Sequence, residues 1–242
     1  HLCPIEQQFD SHERIARLSN CFLCYHPQPD VPAVARPPFD KNGYVTFGSF
    51  NHLAKLTDST IRLWSRVLDA VPDSRLVLKA LPLADKDTRE LTRRRFADCG
   101  IDAARIDPLP PTVPLSAFMA EYSRMDIALD TVPYNGGTTT CDALWMGVPV
   151  VTLPGGRFCS RMGASILKTT GLEKFVATDA DDYVRLATNL AFDTQKLKTL
   201  RSSLRNRIRN SLLCNSEEFT HDFEQTIQIM VNPKAVQKSS ME

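Results

Sequence analysis

The sequence predicts an α/β fold in which helices cover both faces of a doubly wound, parallel, Rossmann-like sheet. Short apolar runs alternate with amphipathic patterns of about 10 to 15 residues, the order that strands and crossover helices follow in parallel sheets. Polar or glycine-rich loops follow three of the apolar runs, at the strand ends where such sheets bind ligands. A hydrophobic content of 43% over 242 residues is enough to build a core.

The first strand is predicted at residues 44–50, where apolar and polar side chains alternate with a period of two. The helix after it has one apolar face, and Pro72 ends it because proline cannot continue the hydrogen-bond ladder. We expect Asp58 to cap the N-terminus of this helix, since a carboxylate can accept from free backbone amides.

The rest of the chain continues the alternation of strands and helices. Further strands are predicted at residues 76–81, 105–107, 127–130, 148–153 and 175–177. Further helices are predicted at residues 86–99, 115–122, 143–147, 159–170, 180–192, 194–210 and 216–231. The third strand is expected to end before Pro108, and the arginines at 201, 205, 207 and 209 are expected to form a solvated helix face.

The region before the first strand has a different character. Residues 1–20 carry a short helical pattern around Ile15 and Leu18, and residues 27–38 are rich in proline. Such a proline-rich stretch forms neither a helix nor a central strand, so it predicts an extended linker. We therefore place a domain boundary near residue 40.

Charge and composition exclude several classes of function. The net charge of +1 does not point to nucleic acid as a partner, and no apolar run reaches the ~20 residues of a membrane span. The chain begins with His1, which predicts a piece of a longer protein. The seven cysteines include one Cys21-x-x-Cys24 pair in an apolar run; buried free thiols are a better interpretation than a zinc or redox site, and they favour a cytoplasmic location.

The most informative stretch is residues 131–142, in which two glycines and three threonines join a predicted strand to a predicted helix. A glycine turn at a helix start leaves backbone N–H groups uncovered, and these attract phosphate together with the helix dipole. Asp142 falls in the first turns of that helix, where its carboxylate could accept from a ribose hydroxyl. An ordinary capped helix after an ordinary loop remains the alternative.

Several long blocks of the sequence resemble the O-linked N-acetylglucosamine transferase and SPINDLY family. The blocks keep their order and spacing over residues 43–231, and residues 21–25 resemble the segment that leads into the same domain. They lie at residues 43–55, 126–140, 144–152 and 160–165.

The resemblance implies the C-terminal, nucleotide-sugar-binding lobe of a GT-B glycosyltransferase that inverts configuration and needs neither metal nor cofactor. Residues 1–40 would then be the tail of the preceding lobe and a proline-rich linker, residues 41–235 the donor-binding domain, and residues 236–242 a disordered tail. The enzyme would transfer N-acetylglucosamine from UDP-N-acetylglucosamine to Ser or Thr of acceptor proteins. GDP-fucose as the donor, as in the SPINDLY branch, is the alternative. The family's N-terminal lobe and its tetratricopeptide repeats are missing from this sequence.

The resemblance also implies roles for individual residues. Lys55 would contact the diphosphate and be needed for activity, and His52 would contact the nucleotide. The phosphates would be held by Gly137, Thr138 and Thr139, and the ribose by Asp142. The candidate donor-site residues are completed by Asn135, Gly136, Thr140 and Arg161; Arg161, at the start of a later helix, could reach a phosphate. The alternative for Lys55 is a solvated lysine at a helix start, and the alternative for His52 is a histidine on a surface loop.

Four positions depart from the family. It often has histidine at Phe118 and Phe158 and arginine near Glu121, and its animal members have histidine at Gly137. Two further hypotheses therefore stand beside the enzyme lobe. The chain could bind a nucleotide without catalysing transfer, because half of the cleft is missing. It could also be a structural remnant whose base pocket has been lost.

Overall fold

A computed structural model describes residue 2 and residues 15–231, and its centre is a five-stranded parallel sheet. The strands are β1 (Thr46–Ser49), β2 (Arg75–Lys79), β3 (Ile106–Leu109), β4 (Ile127–Leu129) and β5 (Val150–Val151). Their order is β3-β2-β1-β4-β5, so the direction of winding reverses between β1 and β4. This arrangement confirms the predicted doubly wound α/β fold. In sheets of this kind ligands bind beyond the carboxyl ends of the strands where the winding reverses, which here are β1 and β4.

Helices connect the strands and continue after the last one. They are α1 (Phe39–Asn42), α2 (Asp58–Ala70), α3 (Lys86–Ala97), α4 (Leu115–Ala120), α5 (Thr138–Trp145), α6 (Met162–Thr169), α7 (Ala180–Phe192), α8 (Thr194–Arg209) and α9 (Ser216–Val231). The three C-terminal helices begin and end close to their predicted bounds. Among the helices described here, none combines the length and the apolar content that a membrane crossing requires.

The middle of the sheet is closely packed around β1. All four β1 residues are buried, as expected for a parallel strand with a neighbour on each side. Gly48 lies where a Cβ atom would come within 2.8 Å of the side chains of Met125 and Val77. Glycine therefore permits the close packing of side chains over the sheet centre.

The predicted end of the third strand was wrong. Strand β3 runs through Pro108 to Leu109, and Pro108 is the register partner of Leu78 on β2. Proline is tolerated there because β3 is an edge strand with a single neighbour, so the missing N–H leaves no second strand unpaired.

Other boundaries also differ from the prediction. The expected strand at 175–177 is one isolated parallel bridge between Thr152 and Val176, preceded by a 3-10 turn at Glu173–Phe175. The helix expected from residue 159 begins at Met162, after a 3-10 turn at Phe158–Ser160. Residues 15–18 are not helical, and the other residues of that N-terminal pattern, like the predicted tail at 236–242, lie outside the described part of the chain.

The cap of α2 is Thr57 and not Asp58. Thr57 is extended, with φ of −73° and ψ of 166°, and its Oγ1 accepts from the Thr60 amide at 3.2 Å. Asp58 is already the first helical residue, and its carboxylate pairs with Arg95. A cap must precede the first helical residue, which explains the shift by one position.

The proline-rich linker is fixed to the domain by arginines that were expected to be solvated. Arg201 is buried and donates to the carbonyls of Ala35 at 3.0 Å and Met125 at 2.6 Å. Arg205 donates to the carbonyl of Pro32 at 2.9 Å. Carbonyls of an extended linker need donors, and two helix side chains supply them.

Candidate functional site

The loops after β1 and β4 meet at the carboxyl edge of the sheet, because the two strands are neighbours. Lys55 ends a 3-10 turn at Leu53–Lys55, and Asn135 precedes the two glycines of the loop after β4. The Lys55 ammonium donates to the Asn135 carbonyl at 2.8 Å and lies 4.1 Å from the centre of the Tyr134 ring. The lysine and the glycine turn therefore share one site.

Lys55 is half-buried, and this affects the pKa of its ammonium group. Burial lowers its pKa, while the nearby Asp130 and Cys159 raise it. A cation in this position is poorly hydrated, so it interacts more strongly with an approaching anion than a fully solvated lysine does.

The glycine turn opens helix α5 without a side-chain cap. The first backbone amides that bond back to Gly137 are those of Thr140 and Cys141. Within the described residues, the amides of Gly137, Thr138 and Thr139 have no protein acceptor. N–H groups without a protein acceptor at a helix start, next to a lysine, are features that commonly bind phosphate oxygens.

The glycine turn is closely packed against neighbouring side chains. A Cβ atom on Gly136 would lie 2.6 Å from Thr140 Oγ1 and 2.8 Å from Thr139 Oγ1, and one on Gly137 would lie 2.8 Å from Met162 Cε. The Thr139 side chain is also held in place, since its hydroxyl donates to Oδ1 of Asn51, in the loop after β1, at 2.9 Å. Thr138 is exposed and Thr140 is buried.

Asp130 organises the turn, although the sequence analysis did not select it. Its Oδ1 accepts from the amides of Gly136 at 2.6 Å and Thr131 at 3.0 Å, and its Oδ2 accepts from the Thr152 hydroxyl at 2.6 Å. Burial raises the pKa of Asp130 to about 6, against the effect of these donors and of Lys55. The available signal was an aspartate that directly follows a buried apolar strand.

Asp142 lies one helical turn after Thr138 and therefore on the same face of α5. It is 9% exposed, and its Oδ1 accepts from the Tyr25 hydroxyl at 2.8 Å. Burial raises the pKa of Asp142 to about 6, and the bond from Tyr25 opposes that shift. Asp142 is thus beside the glycine turn, and its role toward a ribose stays a prediction.

The two remaining candidates are less closely joined to the turn. His52 is exposed, and its Nδ1 accepts from the Ala54 amide at 3.2 Å. Arg161 is buried and donates to the carbonyls of Gly155 at 2.8 Å and Leu2 at 3.0 Å. Both assignments to the nucleotide stay predictions.

The positions that depart from the family are ordered parts of the same edge. Phe118 packs against Phe50 at 5.8 Å and Tyr122 at 5.9 Å between ring centres. Glu121 pairs with Arg124, and Phe158 packs edge-on against Phe22 at 5.9 Å. The two phenylalanines thus make packing contacts, and Glu121 makes an ion pair.

The site is open to solvent, as the exposure of Thr138, Tyr134 and His52 shows. A groove of 710 Å³ lies at the opposite, amino-terminal edge of the sheet, beside Thr46 and Arg75. It does not touch the lysine or the glycine turn. Across the described part of the chain, no group of three His, Cys, Asp or Glu side chains is arranged to hold a metal ion.

Comparisons with known proteins agree on one family. Residues 37–223 match the family described as Glycosyl transferase family 41. A Petunia hybrida protein named probable UDP-N-acetylglucosamine–peptide N-acetylglucosaminyltransferase SPINDLY is 44% identical over 218 residues, which cover 90% of this chain and 23% of that protein. The Arabidopsis thaliana protein of the same name is 43% identical, with coverages of 90% and 24%. The chain thus spans less than a quarter of these two relatives.

Two solved structures are similar to the chain, one in sequence and fold and one in fold alone. A mutant O-GlcNAc transferase from Thermobaculum terrenum matches with a TM-score of 0.83 and 36% identity, over 90% of this chain and 41% of that chain. The TarM protein of S. aureus matches with a TM-score of 0.59 and 11% identity, over 90% of this chain and 40% of that chain. The second likeness concerns the fold alone.

Proposed function

The chain belongs to glycosyl transferase family 41, and we propose on that basis that it is the donor-binding lobe of a protein O-glycosyltransferase. Its fold is that of the C-terminal lobe of GT-B glycosyltransferases. The donor that we propose is UDP-N-acetylglucosamine, because the petunia and Arabidopsis relatives carry that substrate in their names. The acceptors are Ser or Thr side chains of proteins.

One observation supports this proposal more than any other. The Lys55 ammonium lies 2.8 Å from the carbonyl that opens the glycine turn, next to three backbone amides without a protein acceptor. When a sugar leaves a nucleotide diphosphate, negative charge grows on the bridging phosphate oxygen. A half-buried ammonium and oriented amides stabilise that charge without a metal ion.

Each donor-site residue has a role in this proposal. Lys55 neutralises the leaving diphosphate, and the amides from Gly137 to Thr139 hold its oxygens. Asp130 keeps the turn in shape by accepting from the Gly136 amide. Asp142 accepts from the ribose, on the same face of α5 as the exposed Thr138.

Transfer to an acceptor requires more than this chain. The relatives are about fourfold longer, since the chain covers 23% of the petunia protein. A site that is open on one side also lacks the surface that would exclude water and hold an acceptor. We propose that the rest of the protein supplies that surface, and that the enzyme works on protein acceptors in the cytoplasm.

Calorimetric titration of the chain with UDP, GDP and ADP tests the proposal. We expect UDP to bind tightest, and Lys55→Ala to weaken binding by about tenfold or more, the loss that removal of a charged hydrogen bond produces. Lys168→Ala, which removes an exposed lysine at the end of α6, is the matched control and should bind UDP as the wild type does.

Two outcomes would change the conclusion. A preference for GDP would make GDP-fucose the donor, and no binding to any of the three diphosphates would rule out a donor lobe. Incubation with UDP-N-acetylglucosamine and an acceptor protein should give little or no product from this chain alone. Efficient glycosylation under those conditions would show that the proposed dependence on the rest of the protein is wrong.

A further inference from the structure

We propose that Tyr25 is a positioning residue of the donor site, which holds Asp142 in the orientation that accepts a hydrogen bond from the nucleotide's ribose. The proposal rests on the function proposed above and extends the site to a segment upstream of the proline-rich linker. Tyr25 lies 117 residues before Asp142 in the chain, yet its hydroxyl is 2.8 Å from the carboxylate.

The hydrogen bond makes the two oxygens of the Asp142 carboxylate different. The Tyr25 hydroxyl donates to Oδ1, and no other described residue donates to Asp142. A carboxylate can accept about four hydrogen bonds, so Oδ2 retains its capacity for a ligand. One oxygen is fixed by the protein and the other is left for a hydroxyl of the donor.

Tyr25 acts only as a donor in this pair. It is buried, and both burial and the adjacent Asp142 raise the pKa of its hydroxyl above the ordinary value. The hydroxyl therefore keeps its proton over the whole physiological range. A permanent donor favours the ionised carboxylate, which is a stronger acceptor for a ribose hydroxyl than the protonated acid.

Two further contacts fix the position of the hydroxyl. The Tyr25 amide donates to the Leu213 carbonyl at 2.8 Å, and the ring packs edge-on against Trp145 with 6.2 Å between centres. Trp145 is on the same helix as Asp142, three residues later. The ring and the hydroxyl of Tyr25 therefore contact the same face of α5. Rotation of the Asp142 side chain is thereby restricted before a ligand arrives, which lowers the entropy lost on binding.

The segment around Tyr25 is also joined to the loop after β5. Phe22 packs against Phe158, and the Cys159 carbonyl in that loop accepts from the Asn135 amide at 2.9 Å. The upstream segment therefore contacts both the helix that carries Asp142 and the loop that supports the glycine turn.

A purely structural hydrogen bond would make a different prediction. It would contribute to folding stability, but it would not change how strongly the site distinguishes a ribose from a sugar without hydroxyls. The deciding measurement is the affinity ratio between a ribonucleoside diphosphate and its 2′,3′-dideoxy counterpart.

The experiment uses calorimetry with UDP and 2′,3′-dideoxy-UDP, and with GDP and 2′,3′-dideoxy-GDP. We expect the wild type to bind the ribonucleotide about tenfold more tightly, and Tyr25→Phe to reduce that ratio about threefold or more while the ring packing is retained. Tyr44→Phe removes a tyrosine hydroxyl at the opposite edge of the sheet, near Arg75, and should leave the ratio unchanged.

A double-mutant cycle separates Tyr25 from Asp142. Asp142→Asn should reduce the ratio, and adding Tyr25→Phe to it should cause no further reduction, because the hydroxyl acts through the carboxylate. Melting temperatures of all variants identify any that fail to fold; if Asp142→Asn does so, the ratio of Tyr25→Phe alone decides.

The outcomes are distinct. An unchanged ratio in folded Tyr25→Phe, or a wild type that binds both ligands of a pair equally, overturns the role of Tyr25 and leaves the donor lobe intact. A wild type that binds none of the four ligands overturns the donor lobe and this inference together.

Discussion

Asp130 connects the chemistry of the site to the packing beneath it. Its carboxylate accepts from the Gly136 amide and from the Thr152 hydroxyl, so one buried side chain joins the glycine turn to the end of β5. Gly163 at the start of α6 packs directly against the Asp130 carboxylate and the Thr152 hydroxyl. A Cβ atom there would be 2.3 Å from Asp130 Oδ2 and 2.5 Å from Thr152 Oγ1.

Gly163→Ala should therefore destabilise the protein, although alanine is the better helix former. Helix propensity favours alanine by ~1 kcal/mol, whereas overpacking in a dense interior costs ~1–3 kcal/mol. We expect a net loss in the free energy of unfolding by urea titration, together with weaker binding of UDP because Asp130 is displaced.

Gly156→Ala is the control for that measurement, since a Cβ atom at Gly156 has no neighbour within 4 Å. Its unfolding midpoint and its affinity for UDP should match those of the wild type. Equal stability of Gly163→Ala and Gly156→Ala would contradict the tight contact with Asp130.

At the level of the element, the N-terminus of α2 is tied to the loop that leads to the glycine turn. The Thr57 hydroxyl donates to the Val132 carbonyl at 2.8 Å, and Thr60 exchanges two hydrogen bonds with Val132, at 2.6 and 3.1 Å. The helix start after β1 and the loop after β4 therefore hold each other in register, which also fixes Lys55 relative to Asn135.

Replacing the two residues at this helix start should have unequal effects. Thr57→Ala removes both the cap and the bond to Val132, and we expect a loss of ~1–2 kcal/mol in unfolding free energy. Asp58→Ala removes an exposed ion pair with Arg95, which contributes little to stability because water screens the two charges. Chemical denaturation of both variants checks the order; a larger loss for Asp58→Ala would restore Asp58 as the cap.

The elements differ in how far the sequence could predict them. The central strands were evident because buried parallel strands are continuous apolar runs, and periodicity reports that directly. Pro108 misled the prediction, because only the sheet order reveals that β3 is an edge strand. Arg201 misled it as well, since its acceptor on Ala35 is 166 residues away.

The site shows the same division. The turn at residues 135–140 could be proposed as a site because its amides and glycines are adjacent in sequence. Asp130, Asn51 and Tyr25 were not assigned roles, because each acts through a contact that the sequence order does not show. Local sequence predicts which backbone amides are candidates for binding phosphate. Tertiary contacts determine which side chains hold those amides in position.

At the level of the whole molecule, three buried carboxylates govern the response to pH. Burial raises the pKa of Asp126, Asp130 and Asp142 to about 6 in each case. An unfolded aspartate has a pKa of about 3.9, so between pH 4 and 6 the folded state binds more protons than the unfolded state. Stability that depends on these groups therefore increases as the pH falls through 6.

We expect the urea midpoint to rise when the pH is lowered from about 7 to about 5. Exposed aspartates whose pKa is lowered in the folded state, such as Asp58 and Asp182, oppose this only at more acidic pH. Asp142→Asn should flatten the rise, because it removes one of the three contributing groups. A midpoint that falls steadily between pH 7 and 5 would contradict the raised pKa values.

The contact between Phe22 and Phe158 has a practical consequence for anyone who divides this protein into pieces. The family match begins at residue 37, and a fragment cut there would keep every strand of the sheet. It would nevertheless lose Phe22 and Tyr25, and with them the support for the loop after β5 and for Asp142. A functional unit drawn from tertiary contacts begins upstream of the linker, so truncation experiments should start at or before residue 21.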